Sequence, residues 1–116
     1  MKKKSIKSFF ITGAAGFIGA NLVMELMRSG ESMTLIGLDN MNSYYDISLK
    51  EYRLSEIEKL AQANPQVTWT FIKGDLADKA LIDCIFDEYK PEIVVNLAAQ
   101  SASAYRSANA RARLRR

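Results

Sequence analysis

The chain has 116 residues, enough for one domain. Its 48% hydrophobic content supports a packed core, while one cysteine and no histidine exclude a disulfide framework and argue against a structural zinc site. The formal charge of +3 conceals two parts: residues 1–100 carry 11 Lys/Arg and 13 Asp/Glu, a charge of −2, and residues 101–116 carry five arginines and no acid, a charge of +5. A faintly acidic body of this kind predicts no nucleic-acid partner, although the arginines alone would give weak, salt-dependent affinity.

Lys2-Lys3-Lys4 ahead of the apolar and small residues Phe9 to Ala20 has the outline of a secretory signal. The three-residue glycine intervals and the α/β pattern that follows favour a folded, cytoplasmic domain instead. No apolar run approaches the ~20 residues that span a membrane.

Phe9 to Thr12 reads as a short buried strand. It runs into Gly13-Ala14-Ala15-Gly16-Phe17-Ile18-Gly19, a G-x-x-G-x-x-G turn. Apolar residues then recur with helical spacing at Ile18, Leu22, Val23, Leu26 and Met27, and Gly30 stands where a C-terminal cap belongs. A strand, a tight glycine turn and a helix N-terminus together form an anion cradle, because free N–H groups and the helix dipole favour phosphate without a basic side chain. A Walker loop is excluded, since no Lys-Ser or Lys-Thr follows the glycines.

Thr34 to Leu38 is the second strand and ends at Asp39, twenty residues beyond Gly19. An acid at that place suits the hydroxyls of an adenosine ribose and repels a 2′-phosphate, which favours NAD over NADP; the alternative is an ordinary loop aspartate. Residues 40–47 form a polar, aromatic loop, in which Tyr44 and Tyr45 either cover the cofactor or simply pack. Ser48 to Glu51 has the form of a capping box, and Leu54, Ile57, Leu60 and Ala61 give the next helix an apolar face until Asn64-Pro65 stops it.

Val67 to Ile72 is the third strand, and Gly74-Asp75-Leu76 is its exit turn. Asp75 and Leu76 fall where adenine would lie, or else are turn and core residues. Asp78 caps a third helix marked by Leu81, Ile82, Ile85, Phe86 and Tyr89; Cys84 on it reads as an inert core or boundary residue. Ile93-Val94-Val95 is a fully apolar fourth strand, expected to be covered on both faces. Asn96 to Gln100 leaves its carboxyl end.

Alternating strands and helices predict an α/β, Rossmann-like, doubly wound parallel sheet in the order 3-2-1-4, cut short after the fourth strand. Ligands of such sheets bind outside the carboxyl ends, at the switch point between strands 1 and 4. Four segments converge there. An unpaired fourth strand predicts self-association.

The segments FFITGAAGFIGANLVMELMRSG, LDNMNSYYDISLKEYRL, FIKGDLAD and VVNLAAQ resemble the extended short-chain dehydrogenase/reductase superfamily. Within it they are most similar to the nucleotide-sugar epimerases of the UDP-glucuronate 4-epimerase type, over about residues 8–100. The resemblance implies tightly held NAD and a nucleotide-sugar substrate. It implies that Gly13, Gly16, Phe17, Ile18 and Gly19 contact the pyrophosphate, that Asp39 and Asn40 hold the ribose, and that Asp75 and Leu76 flank adenine. Leu97, Ala98, Ala99 and Gln100 would run toward the nicotinamide. The family's catalytic Tyr-x-x-x-Lys pair is absent: Ser48, Leu49, Glu56, Ile93 and Asn109 stand four residues after the five tyrosines. Residues 1–100 therefore read as the N-terminal portion of the cofactor domain. Residues 101–116 depart from the family and read as a truncated or frameshifted continuation. The expected function is the NAD-binding part of an epimerase, inactive alone; the alternative is a stand-alone NAD-sensing module.

Overall fold

The computed structural model describes residues 6–41 and 47–98. The chain alternates strand and helix throughout: β1 (Lys7–Thr12), α1 (Phe17–Arg28), β2 (Met33–Asp39), α2 (Ile47–Ala63), β3 (Val67–Lys73), α3 (Lys79–Tyr89) and β4 (Ile93–Asn96). The four strands form one parallel sheet in the order β3-β2-β1-β4, as the sequence predicts.

Side chains alternate across a strand, so each central strand feeds two cores. Ile11, Met33 and Leu35 face α1 and α2 and meet Val23, Met27 and Ile57. Phe10, Ile36 and Leu38 face α3 and meet Ile82 and Ile85. Phe10 and Phe86 pack edge to face, with centroids 5.7 Å apart. Burial of an aliphatic or aromatic side chain of this size contributes about 1.5–3 kcal/mol, so these two layers hold the sheet between its helices.

The register aligns the carboxyl ends. Thr12 stands level with Leu38 on one side and with Asn96 on the other. Every turn that leaves β1, β2 and β4 therefore emerges at one edge of the sheet.

Helix signals hold at two of the three helices. Gly30 follows the C-cap Ser29 with φ +84°. The Asp78 carboxylate accepts the Leu81 N–H at 3.1 Å and caps α3. At α2 the expectation needs correction, because the helix starts at Ile47 and Ser48 lies inside its first turn rather than at the cap. Helix ends read from residue type shift readily by a residue or two, and the side chain that docks this turn is Lys50, which reaches Asp39 at the end of β2.

Two further expectations are corrected. β4 is not covered on both faces: Ile93 and Val94 remain 38% and 37% exposed. Among the described residues it pairs with β1 alone, and its apolar composition suits more burial than they provide. Cys84 is exposed rather than a core residue. It lies off the stripe of α3 that carries the buried Ile82 and Ile85. Tyr44, Tyr45, Ala99, Gln100 and the arginine-rich end lie outside the described residues.

Candidate functional site

The glycine turn is stitched to the end of β2. The Gly13 and Ala14 N–H groups both donate to the Leu38 carbonyl, at 2.8 and 3.1 Å, and Gly16 N–H donates to the Gly13 carbonyl at 3.0 Å. Two glycines are required by close approach. Gly13 has φ +72°, and a Cβ on it would lie 2.8 Å from the Leu97 carbonyl carbon. A Cβ on Gly19 would overlap the Gly13 carbonyl oxygen itself.

These bonds consume the amides of the turn and leave those of the helix. Gly16 is the N-cap of α1, no side chain among the described residues caps the helix, and its first turn holds no acid. The first amides of a helix have no intrahelical acceptor. Phe17, Ile18 and Gly19 thus present N–H groups at the positive end of the helix dipole, and the Phe17 and Ile18 side chains beside them are 70% and 65% exposed. An uncapped helix start beside an open surface suits a phosphate oxygen. Gly13 and Gly19 shape this cradle by letting the backbone approach closely.

Asp39 closes one side of it. The residue is buried, and its carboxylate carries bonds from three directions. Oδ2 accepts the Ala15 N–H at 3.0 Å, while Oδ1 accepts the Met41 N–H at 2.8 Å and the Lys50 ammonium at 2.8 Å. Met41 bends back to Asp39 in the left-handed region, at φ 61°. Asn40, half-buried, lies between them. A carboxylate with two oxygens and about four acceptor directions retains capacity for a further donor.

Arg53 completes the arrangement. Its Nη1 donates to the Ala15 carbonyl at 3.3 Å, and its guanidinium carbon lies 5.9 Å from the centroid of the Phe17 ring. The Ala15 residue is therefore gripped at both its N–H and its carbonyl. Sequence reasoning did not find Lys50 or Arg53. Their three-residue spacing puts both on one face of α2, but only the docking of that helix shows that the face meets the glycine turn.

The remaining expected residues divide. Leu97 lies beside the turn: its N–H donates to the Thr12 carbonyl and hydroxyl, at 3.2 and 3.0 Å. Ala98 N–H reaches the same hydroxyl at 3.3 Å. Asp75 stands one strand further out, on the turn after β3, and accepts the Ala77 N–H at 2.9 Å. Leu76 is buried with Phe10, Ile36 and Leu38, a core position. The turn 13–19, Asp39, Asn40, Leu97 and Ala98 thus gather at the carboxyl edge of β1, β2 and β4. Because α1 packs on one face of the sheet and α3 on the other, the chain reverses its winding between β1 and β4. That reversal leaves the crevice in which such sheets bind ligands. Among the described residues no group of three or more His, Cys, Asp or Glu could hold a metal ion, and no helix is long and apolar enough to cross a membrane.

Known proteins share this arrangement. The model of the GDP-mannose 4,6 dehydratase family matches residues 10–113. Protein CapI of Staphylococcus aureus is 42% identical over 101 residues, which cover 87% of this chain and 28% of that protein. UDP-glucuronate 4-epimerase 3 of Arabidopsis thaliana is 36% identical over 102 residues, covering 88% of this chain and 22% of that protein. The crystal structure of dTDP-glucose 4,6-dehydratase from Bacillus anthracis, solved in complex with NAD, superposes with a TM-score of 0.63 at 27% identity, covering 86% of this chain and 29% of that one. The chain spans about a quarter of the length of these relatives.

Proposed function

The chain belongs to the GDP-mannose 4,6 dehydratase family of extended short-chain dehydrogenase/reductases, and from that premise we propose that it forms the NAD-binding, N-terminal part of a nucleotide-sugar epimerase of the UDP-glucuronate 4-epimerase type. One observation carries the reading. The uncapped start of α1 and the buried Asp39 lie on either side of Ala15, joined by the bond from its N–H. An anion site and a hydroxyl-binding carboxylate held at this short separation match a nucleotide's phosphate and ribose.

The residues present fit the cofactor. Phe17, Ile18 and Gly19 would donate backbone N–H groups to the pyrophosphate, with Gly13 and Gly16 allowing the approach. Asp39 and Asn40 would hold the adenosine ribose. Asp75 would stand toward the adenine, with Leu76 as the floor beneath it. Leu97 and Ala98, followed by Ala99 and Gln100, would line the path toward the nicotinamide. Bound NAD supplies a hydride acceptor, and then a donor, for C4 of the sugar. The protein's share of that chemistry at these residues is orientation and exclusion of water. Proton transfer at the sugar hydroxyl would need a tyrosine with its lysine, and no tyrosine of this sequence has a lysine four residues on.

Isothermal titration calorimetry of the purified chain with NAD tests the cofactor reading; an absence of heat at millimolar NAD would overturn it. Incubation with UDP-glucuronate and NAD tests the second part. The expected result is no 4-epimer, and any turnover by the chain alone would contradict the assignment of catalysis to residues it lacks.

A further inference from the structure

Among the described residues Lys50 is the cation that touches the acid proposed to read the ribose, with its Nζ 2.8 Å from Asp39 Oδ1 and side-chain exposures of 17% and 3% for the pair. A lone carboxylate at the end of β2 is expected to reject a dinucleotide phosphorylated at the ribose 2′-oxygen. Here the carboxylate is not alone. We propose that Lys50 is a specificity-determining residue which, by compensating Asp39, narrows the discrimination between NAD and NADP. The inference rests on the cofactor reading above and goes beyond it, since that reading gives Lys50 no part in holding the ribose.

The argument is geometric. A ribose oxygen that bonds Asp39 lies about 2.7–2.8 Å from it. With Lys50 at 2.8 Å from Oδ1 of the same carboxylate, a ribose oxygen bonded to Oδ1 lies within roughly 5–6 Å of the ammonium, and a phosphorus on that oxygen within roughly 7 Å. Both distances are inside the Debye length of about 8 Å at physiological salt. A 2′-phosphate would therefore meet attraction from Lys50 and repulsion from Asp39 on the same scale. Removal of the ammonium leaves Asp39 where it is, because the Ala15 and Met41 N–H groups still hold it. Its repulsion then acts uncompensated. Arg53 contributes equally in all variants, as its own contacts are to Ala15 and Phe17.

The experiment compares calorimetric dissociation constants for NAD and NADP in the wild-type chain and in Lys50→Met, Lys50→Gln and Lys50→Arg, each checked for native circular dichroism. The expected result is a ratio of NADP to NAD dissociation constants that rises about tenfold in the Met and Gln variants, the scale of one unit-charge interaction at this distance under partial screening. The charge-retaining Arg variant should keep the wild-type ratio. A structural role for Lys50 would weaken both ligands together and leave the ratio unmoved, and that outcome overturns the inference alone. Two isosteric variants guard against misfolding of either one. Failure of the wild-type chain to bind NAD would overturn the cofactor reading and this inference with it.

Discussion

Thr12 and Asn96 join the two strands that flank the crevice: the Thr12 hydroxyl donates to the Asn96 side-chain oxygen at 2.5 Å. The same hydroxyl accepts the N–H groups of Leu97 and Ala98, at 3.0 and 3.3 Å. One buried oxygen thereby fixes where the chain goes after β4, directly beside Gly13. Side-chain bonds to β1 thus complete at the strand end what the backbone ladder does along the strand.

Thr12→Val keeps the shape of this side chain and removes its hydrogen bonds. A buried polar partner left unmatched costs about 1–3 kcal/mol, and Asn96 and Ala98 both lose one here. Urea unfolding followed by circular dichroism should show a loss of that size, with Thr12→Ser nearly unaffected. Equal stability of the Val variant would mean that the backbone bond from Leu97 to the Thr12 carbonyl suffices to hold the exit from β4.

The glycines separate the needs of fold and site. Gly19→Ala places a methyl group on the Gly13 carbonyl, which is rigid backbone. Overpacking of this kind costs about 1–3 kcal/mol, and it displaces the turn that shapes the cradle, so affinity for NAD should be lost. Gly30→Ala meets nothing within 4 Å but must hold φ +84°, which costs roughly 1–2 kcal/mol in the left-handed region. This second variant should melt earlier yet bind NAD as the wild type does whenever it is folded. Calorimetry with NAD below both melting temperatures distinguishes the two.

Arg53→Ala tests the grip on Ala15. The variant frees the Ala15 carbonyl and bares one face of the Phe17 ring. A cation over an aromatic ring at a partly exposed site contributes about 0.5–1 kcal/mol, so roughly two- to fivefold weaker NAD binding is expected, with thermal stability little changed. Arg53→Lys should recover part of the affinity, since it keeps the charge and loses the planar fork. Unchanged affinity in both variants would remove Arg53 from the site.

The sequence made the sheet order readable because glycine spacing and apolar periodicity are local signals. The three-residue intervals from Gly13 to Gly19 require a turn between a strand and a helix, and Asp39 follows at the end of the next strand. What remained hidden depends on docking. Lys50 and Arg53 lie 11 and 38 residues from the groups they hold, Asp39 and Ala15, and no local pattern distinguishes them from a solvated helix face. Leu76 and Cys84 show the same limit in opposite senses. The structure places Leu76 in the core, although it stands in the polar turn Gly74 to Lys79, and Cys84 in solvent, although Leu81, Ile82, Ile85 and Phe86 surround it in sequence. Ile93 and Val94 are apolar yet 38% and 37% exposed, because among the described residues β4 has a strand partner on one side alone.

That exposure leads to the last prediction. Among the described residues β4 pairs with β1 on one side only, and its other edge has no strand partner there and is flanked by the exposed Ile93, Val94 and Leu97. An apolar edge of this kind templates pairing with another strand. The chain should therefore self-associate with rising concentration, and Val94→Lys should suppress this, because a charge on the edge must be desolvated when a second strand docks. Light scattering across a concentration series, with NAD titrations as a control for the fold, measures both. A wild-type chain that stays monomeric would show that the edge is protected, and association that persists unchanged in Val94→Lys would place the contact elsewhere, with the exposed Phe17 and Ile18 as the next surface to substitute.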